Sequence, residues 1–217
     1  MSYAPRLAVD IGGTFTDVVL EVGETLHSSK TLTTPAVPER GVLEGVREVM
    51  RLAGHTAGEV SHILYGTTLA TNLLIERKGT SVALLTTAGF RDSIEMRNEN
   101  RYEQYDLNID LPAPLVPRAR RFSIDERINA KGKVLVPLDE AAVTALAPRL
   151  AVSGVKSVAI GFLHSYMNDA HENRARDLLL KQLPSLEITL SCEVSPEMRE
   201  YERISTACAN AYLQPLM

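Results

Sequence analysis

A chain of 217 residues that is 45% hydrophobic carries enough apolar side chain for one large domain or two small ones. Its net charge of −4, with 23% charged residues, excludes a globally basic surface for nucleic acid and an acidic tail. Two cysteines are too few for a disulfide scaffold. With no apolar run near about 18 residues and no charged-then-apolar leader, the expectation is a cytoplasmic protein without a membrane span. Residues 6–11, 16–22 and 25–34 then read as three successive strands of an antiparallel meander. Val18, Leu20 and Val22 alternate with Asp17, Val19 and Glu21, the period of a half-buried strand. Val42, Val46, Val49, Met50 and Ala53 recur at helical spacing between Pro38 and Gly54. Ile63–Tyr65 reads as a short buried strand. Thr67 or Thr68 caps a helix expected to run to about Lys78, where Gly79 closes it. Val82–Leu85 is a further apolar strand.

The pattern breaks from Gly89 to Leu138, and residues 89–121 show no clear period. A loop this long in a compact domain is usually functional or irregular. Phe122–Asn129 and Lys133–Val136 flank Gly132 as a hairpin. Asp139 caps a helix carrying Val143, Leu146 and Leu150, which Pro148 should kink or end early. Val155–Leu163 is a buried strand, and Asn168 or Asp169 caps a helix with Ala175, Leu178, Leu179 and Leu183, stopped by Pro184. Glu187–Val194 reads as a strand and Met198–Leu213 as a final helix.

Chemistry concentrates in Asp10-Ile-Gly-Gly-Thr-Phe-Thr-Asp17. Strand, Gly-Gly, strand reads as a tight hairpin with positive φ at Gly12 and Gly13. Without Cβ atoms there, an anion can reach the N–H groups of Gly13, Thr14 and Phe15. Thr14 and Thr16 add hydroxyls, and Asp10 supplies a carboxylate suited to a magnesium ion with its water shell. A bare turn is the alternative reading, and the added carboxylates and hydroxyls favour a nucleotide-phosphate hairpin. No G-x-x-x-x-G-K-[ST] string occurs, and the residues after the glycines have a strand's period, so neither common phosphate loop applies.

Gly66-Thr-Thr-Leu-Ala-Thr-Asn72 sets two threonines at a strand-to-helix junction, where free N–H groups accept an anion. Asn72 faces the same side of that helix as Thr68, and simple N-capping is the competing reading. Arg97-Asn-Glu-Asn-Arg101, with Tyr102 and Tyr105, suits a planar amide or ketone and equally suits an exposed loop. Arg118, Arg120 and Arg121 form a basic cluster better explained by a solvated face or an ion-paired subunit contact than by nucleic acid. The five histidines have no ligand spacing for zinc.

Asp10–Asp17 is similar to the first phosphate motif of the actin and sugar-kinase ATPase superfamily. Further segments narrow the resemblance to the hydantoinase A/5-oxoprolinase family, which includes ATP-binding subunits of acetone and acetophenone carboxylases. These are Tyr65–Asn72 with Glu76-Arg-Lys-Gly79, Leu85–Asp92, Tyr105-Asp-Leu107 with Pro114–Arg118, and Arg199–Arg203 running to Asn210–Pro215. Tyr65 departs from the histidine usual before Gly-Thr-Thr, which bears on substrate class if that position touches substrate.

The resemblance implies an α/β fold: a ribonuclease-H-like, actin-like ATPase domain. It would have a mixed sheet with three N-terminal antiparallel strands flanked by helices, and an inserted loop and hairpin region over about residues 89–138. Residues 1–217 would be the first of two such domains, the second nucleotide-binding half being absent. The implied activity is ATP- and Mg-dependent activation of an amide or ketone carbonyl for ring hydrolysis or carboxylation, with a hydantoinase B-type subunit as partner. Asp10 would organise the magnesium–water shell, Gly12, Gly13, Thr14 and Thr16 would hold phosphates, and Tyr65, Thr67, Thr68, Asn72, Asn98 and Asn100 would meet substrate. The isolated chain is expected to be inactive. A non-catalytic nucleotide-binding scaffold and a sugar or acyl kinase of the same superfamily are the alternatives.

Overall fold

The computed structural model describes residues 4–34, 37–98, 103 and 105–217. Its contacts divide into two compact units, Met1–Lys78 and Gly79–Met217.

The first unit opens with β1 (Arg6–Ile11), β2 (Phe15–Val22) and β3 (Thr25–Leu32), followed by α1 (Pro38–Ala53), β4 (His62–Thr67) and α2 (Leu69–Ile75). The sheet order is β3-β2-β1-β4. The three N-terminal strands are antiparallel, as their alternation implies, and β4 lies parallel to β1. Leu7, Val9, Ile11, Val18 and Leu20 form one apolar face, which packs with Val49 and Met50 of α1. Gly54, at φ 68°, ends α1 in the left-handed conformation; its N–H and that of His55 return to Arg51 and Met50 carbonyls.

Two expectations for this unit are corrected. β4 was expected to be buried, yet each of its six residues is exposed. Apolar composition marks a surface to be covered and does not say what covers it. The helix after Thr68 ends at Ile75 rather than near Lys78, and Arg77, at φ 56°, makes the turn assigned to Gly79.

The second unit is built on a parallel sheet of order β10-β9-β5-β6, comprising β5 (Val82–Thr87), β6 (Arg121–Ile124), β9 (Ser157–Gly161) and β10 (Glu187–Leu190). β5 and β9 are buried at every position, which explains their unbroken apolar runs. α4 (Glu140–Val152) and α5 (Ala170–Gln182) share a core with Leu85, Ile124, Val158, Ile160 and Leu190. α7 (Glu200–Leu213) packs against β5, β9 and β10. Short helices α3 (Ser93–Met96) and α6 (Ser191–Val194) complete the unit. The hairpin expected around Gly132 is shorter than the sequence suggests. Only β7 (Arg127–Ile128) and β8 (Val134–Val136) pair across it, because residues 121–124 join the parallel sheet as β6.

Pro148 neither ends nor shortens α4, which runs to Val152. The carbonyl four residues earlier, on Thr144, loses its helical donor to the proline and accepts instead from Gln182 Nε2 at 3.2 Å. Residues 191–194 turn into α6 rather than continuing β10 because Glu172, fully buried, captures them. Its Oε1 accepts from Ser191 Oγ at 2.6 Å, and its Oε2 accepts from the Cys192 N–H at 3.0 Å. Asp139 caps α4 as expected, accepting from the Ala142 N–H at 2.9 Å.

Two arginines of the basic cluster, Arg118 and Arg121, are ion-paired within the chain. Arg118 forks onto Asp92 at 3.1 and 3.0 Å, and buried Arg121 reaches Glu95 at 2.6 Å. The Arg118 hydrogen bonds hold the Asp92 carboxyl below its ordinary range. Among the described residues no helix is long and apolar enough to cross a membrane.

Gly79 is required by space: a Cβ there would lie 1.9 Å from Tyr212 Cε1, in a ring that is 7% exposed. Thr80 N–H, one residue on, donates to the Tyr212 carbonyl at 2.9 Å. Gly79→Ala should therefore force Tyr212 outward and cost about 1–3 kcal/mol, read as a lower denaturation midpoint with an unchanged m-value. An unchanged midpoint would contradict this packing.

Candidate functional site

The site grows from the parallel pairing of β1 with β4, in which Asp10 sits opposite Gly66 and Ile11 opposite Thr67. Both strands end there, so the Gly12–Thr14 turn and the Thr67–Thr68 junction emerge side by side. Thr68 N–H donates to the Ile11 carbonyl at 3.1 Å, and Thr67 Oγ1 donates to the same oxygen at 3.3 Å. Thr67 Oγ1 also accepts from the Leu69 N–H at 3.2 Å, so the first threonine supports the start of α2. Asn72 Nδ2 donates to Thr68 Oγ1 at 3.4 Å, bringing the α2 amide over the turn.

Gly12 N–H donates to the Phe15 carbonyl at 2.9 Å, which places Gly13 and Thr14 at the centre of the turn. The expected positive φ at Gly12 and Gly13 is not found; neither lies in the left-handed region. Close approach takes its place, against backbone at Gly12 and against a movable side chain at Gly13. A Cβ on Gly12 would lie 2.9 Å from the Phe15 carbonyl oxygen, and one on Gly13 2.9 Å from Asn72 Nδ2. Among the described residues, the Gly13 and Thr14 N–H groups donate to no protein acceptor. Two adjacent amides without a protein acceptor leave donors in a turn that an anion could use.

The two contacts differ in kind, which sets a stability prediction. Gly12→Ala strains backbone against backbone and should cost about 1–3 kcal/mol. Gly13→Ala meets only the far end of a flexible amide and should cost under about 1 kcal/mol. Thermal melts of the two variants would rank them, and a larger loss for Gly13→Ala would contradict the geometry.

Thr16 is fully buried, and its hydroxyl is 3.0 Å from Thr33 Oγ1, on the inner side of the turn. Thr33 Oγ1 donates to the Gly12 carbonyl at 2.9 Å, so Thr16 is the donor to Thr33. Thr33 N–H also donates to the Thr14 carbonyl at 2.9 Å. Thr16 thus stands as a buttress of the turn through Thr33, rather than at its open side. Sequence reasoning missed Thr33, and the Thr31, Thr33, Thr34 cluster at the end of β3 was the available signal.

The two carboxylates of the motif differ. Lys30 Nζ holds Asp17 at 2.7 and 3.0 Å and lies 5.2 Å from the Phe15 ring centre. Asp10 is exposed and, among the described residues, makes no hydrogen bond or ion pair. An open hollow of about 290 Å³ borders Asp10, Asp17, Leu64, Tyr65 and Gly66. Among the described residues no three acidic, histidine or cysteine side chains gather to cage a metal. A single free carboxylate beside free amides suits a magnesium ion that keeps most of its waters and shares phosphate oxygens.

Tyr65 is 64% exposed and pairs with Val9, so the pleat sets it on the face opposite Asp10. Asn98 belongs to the second unit, where its Nδ2 donates to Glu202 Oε1 at 3.3 Å. Asn100 lies outside the described residues. The geometry therefore gathers Asp10, Gly12, Gly13, Thr14, Thr67, Thr68 and Asn72 at one strand end.

The family model described as the hydantoinase/oxoprolinase N-terminal region matches residues 6–183, and the chain belongs to this family. Caprolactamase subunit alpha from Pseudomonas jessenii is 37% identical over 221 residues, which covers 98% of this chain and 32% of that protein. The crystal structure of the ATP-dependent caprolactamase from that organism matches with a TM-score of 0.83, at 37% identity and the same coverage of both chains. The acetophenone carboxylase gamma subunit from Aromatoleum aromaticum is 33% identical over 226 residues, covering 96% of this chain and 31% of that protein. Nucleotide-free acetone carboxylase shares the fold, with a TM-score of 0.88 at 24% identity over 98% of this chain and 32% of that one. The chain spans about a third of the length of these relatives.

Proposed function

We propose that this chain is the nucleotide-phosphate-binding first part of an ATP-dependent enzyme that activates an amide or ketone carbonyl for ring hydrolysis or carboxylation. The observation that carries the reading is the strand end itself, where the free Gly13 and Thr14 amides and the free Asp10 carboxylate lie beside the Thr67–Thr68 junction. Support also comes from the 37% identity to a lactam-cleaving enzyme described as ATP-dependent.

Phosphoryl transfer to a carbonyl oxygen is catalysed mostly by positioning and by neutralising charge. A bound magnesium ion would supply part of that neutralisation. Asp10 would orient its water shell, and the Gly13 and Thr14 amides would hold phosphate oxygens. Thr68 and Asn72, already tied together, would form the wall nearest the substrate, with Tyr65 as an outer candidate. The reading makes residues 1–217 the first domain of an actin-like ATPase whose second nucleotide-binding half lies in the rest of a relative-length protein. It also implies a hydantoinase B-type partner subunit and a cytoplasmic setting, where ATP is supplied.

The test is phosphate release by the full-length protein with its partner subunit, offered caprolactam, 5-oxoproline and acetophenone in turn. Magnesium-dependent release stimulated by one of the three is the expected result. Residues 1–217 alone should show no turnover at an enzymatic rate. Robust hydrolysis by that segment, or none by the complete assembly with any substrate, would contradict the proposal.

A further inference from the structure

We infer that Thr33 is a positioning residue for the proposed phosphoryl transfer, aiming the Gly13 amide from beneath the turn without touching phosphate itself. The inference rests on the nucleotide reading above and deepens it.

A four-residue turn is often closed by the N–H of its last residue returning to the carbonyl of its first. Among the described residues, no such bond runs from Phe15 N–H to the Gly12 carbonyl, which accepts from Thr33 Oγ1 at 2.9 Å instead. The Gly12 carbonyl and the Gly13 N–H belong to one planar trans peptide and point in opposite directions. Holding the carbonyl toward Thr33 therefore turns the Gly13 N–H away from it, to the open side of the turn. Thr33 N–H donates to the Thr14 carbonyl at 2.9 Å, so one residue grips the backbone on both sides of the free Gly13 and Thr14 amides. Two glycines bring no side chains of their own to restrict these peptide planes.

Thr33 is itself held in place. It is 8% exposed, its one hydroxyl proton goes to Gly12, and it accepts from the fully buried Thr16 Oγ1 at 3.0 Å. A Cβ on Gly41 of α1 would lie 2.9 Å from the Leu32 carbonyl oxygen, so the helix presses on the β3 backbone one residue before Thr33. A return bond from Phe15 would close the turn equally well. The bond from Thr33 differs in fixing the direction of the Gly13 amide against β3 and α1, outside the hairpin that carries it.

The test uses the full-length protein with its partner subunit, reading magnesium-dependent phosphate release and melting temperature. Thr33→Val and Thr33→Ala remove the hydroxyl in two ways. Each should lower kcat about tenfold to a hundredfold, with the ATP KM nearly unchanged, and Thr33→Ser should restore turnover. Thr31→Val is the control for stability alone. Its hydroxyl donates to the Gly41 carbonyl at 2.9 Å, with the Thr16 carbonyl more distant at 3.4 Å, and reaches no turn carbonyl. That variant should lower the melting temperature and leave kcat unchanged. Wild-type kcat in folded Thr33→Val or Thr33→Ala, a loss that Thr33→Ser does not restore, or an equal loss in Thr31→Val would overturn the inference. Asp10→Asn separates it from the nucleotide reading. If Asp10→Asn loses turnover while the Thr33 variants keep it, the positioning role alone falls; if Asp10→Asn also keeps turnover, both fall.

Discussion

Asp10→Asn in the full-length enzyme is expected to lower kcat by roughly a hundredfold or more, while ATP binding falls much less. The substitution keeps the shape of a side chain that, among the described residues, makes no hydrogen bond or ion pair, so the fold has no contact to lose. What it removes is the negative charge beside the two free turn amides. That charge would organise magnesium and its waters during phosphoryl transfer, and a preorganised electrostatic group acts mainly on the transition state. Asp17→Asn is the control, because the Asp17 carboxylate is already occupied by Lys30 at 2.7 Å on an exposed surface. Its effect on turnover should be several-fold at most. Steady-state kinetics over a magnesium series, with melting curves for both variants, would separate the roles. Near-wild-type turnover in folded Asp10→Asn would leave the hairpin a structural turn.

The largest stability effect is expected at Arg203. Its side chain is fully buried, and each branch of the guanidinium has a task. Nε donates to Ser191 Oγ at 3.2 Å, Nη1 to the Glu197 carbonyl at 2.7 Å and Nη2 to the Phe162 carbonyl at 3.0 Å. Ser191 Oγ in turn donates to Glu172 Oε1, so cation and carboxylate are joined through one hydroxyl. Burial pulls the Arg203 pKa down from its ordinary value, and the Glu172 charge opposes that shift. Arg203→Met fills much of the volume and leaves Glu172 charged, buried and without its cation. Breaking a buried pair from one side costs about 3–5 kcal/mol, which corresponds to roughly 6–20 °C in melting temperature for a domain of this size. Adding Glu172→Gln should recover part of the loss, since the remaining partner is then neutral. A shift below about 2 °C for Arg203→Met would contradict the assignment of this relay as a structural centre.

Regular period made much of this fold legible in the sequence. The three N-terminal strands, α1 with Pro38 and Gly54 at its ends, and the Asp139-capped α4 all follow local rules that the tertiary structure leaves in force. Expectations failed where a distant partner decided the outcome. Pro148 is tolerated because Gln182, from another helix, takes the freed carbonyl. Residues 191–194 leave the strand because Glu172 draws in their polar groups. β4 looked like buried sheet because its residues are apolar, and burial depends on a neighbour that periodicity cannot reveal.

The candidate site was legible in part for the same reason. Asp10, the glycine pair and the Thr67–Thr68 junction announce themselves by residue type. The inward hydroxyl of Thr16 and the bracing by Thr33 depend on strand register. Asn72 reaches Gly13 because β4 lies parallel to β1 and α2 follows at once, a pairing that no local motif encodes.

The most direct test of the central claim is the structure of the full-length protein bound to magnesium and a non-hydrolysable ATP analogue. The account predicts phosphate oxygens within hydrogen-bond reach of the Gly13 and Thr14 amides, and a magnesium-bound water on Asp10. Phosphates bound elsewhere, with Asp10 facing bulk solvent and the turn amides free, would contradict it.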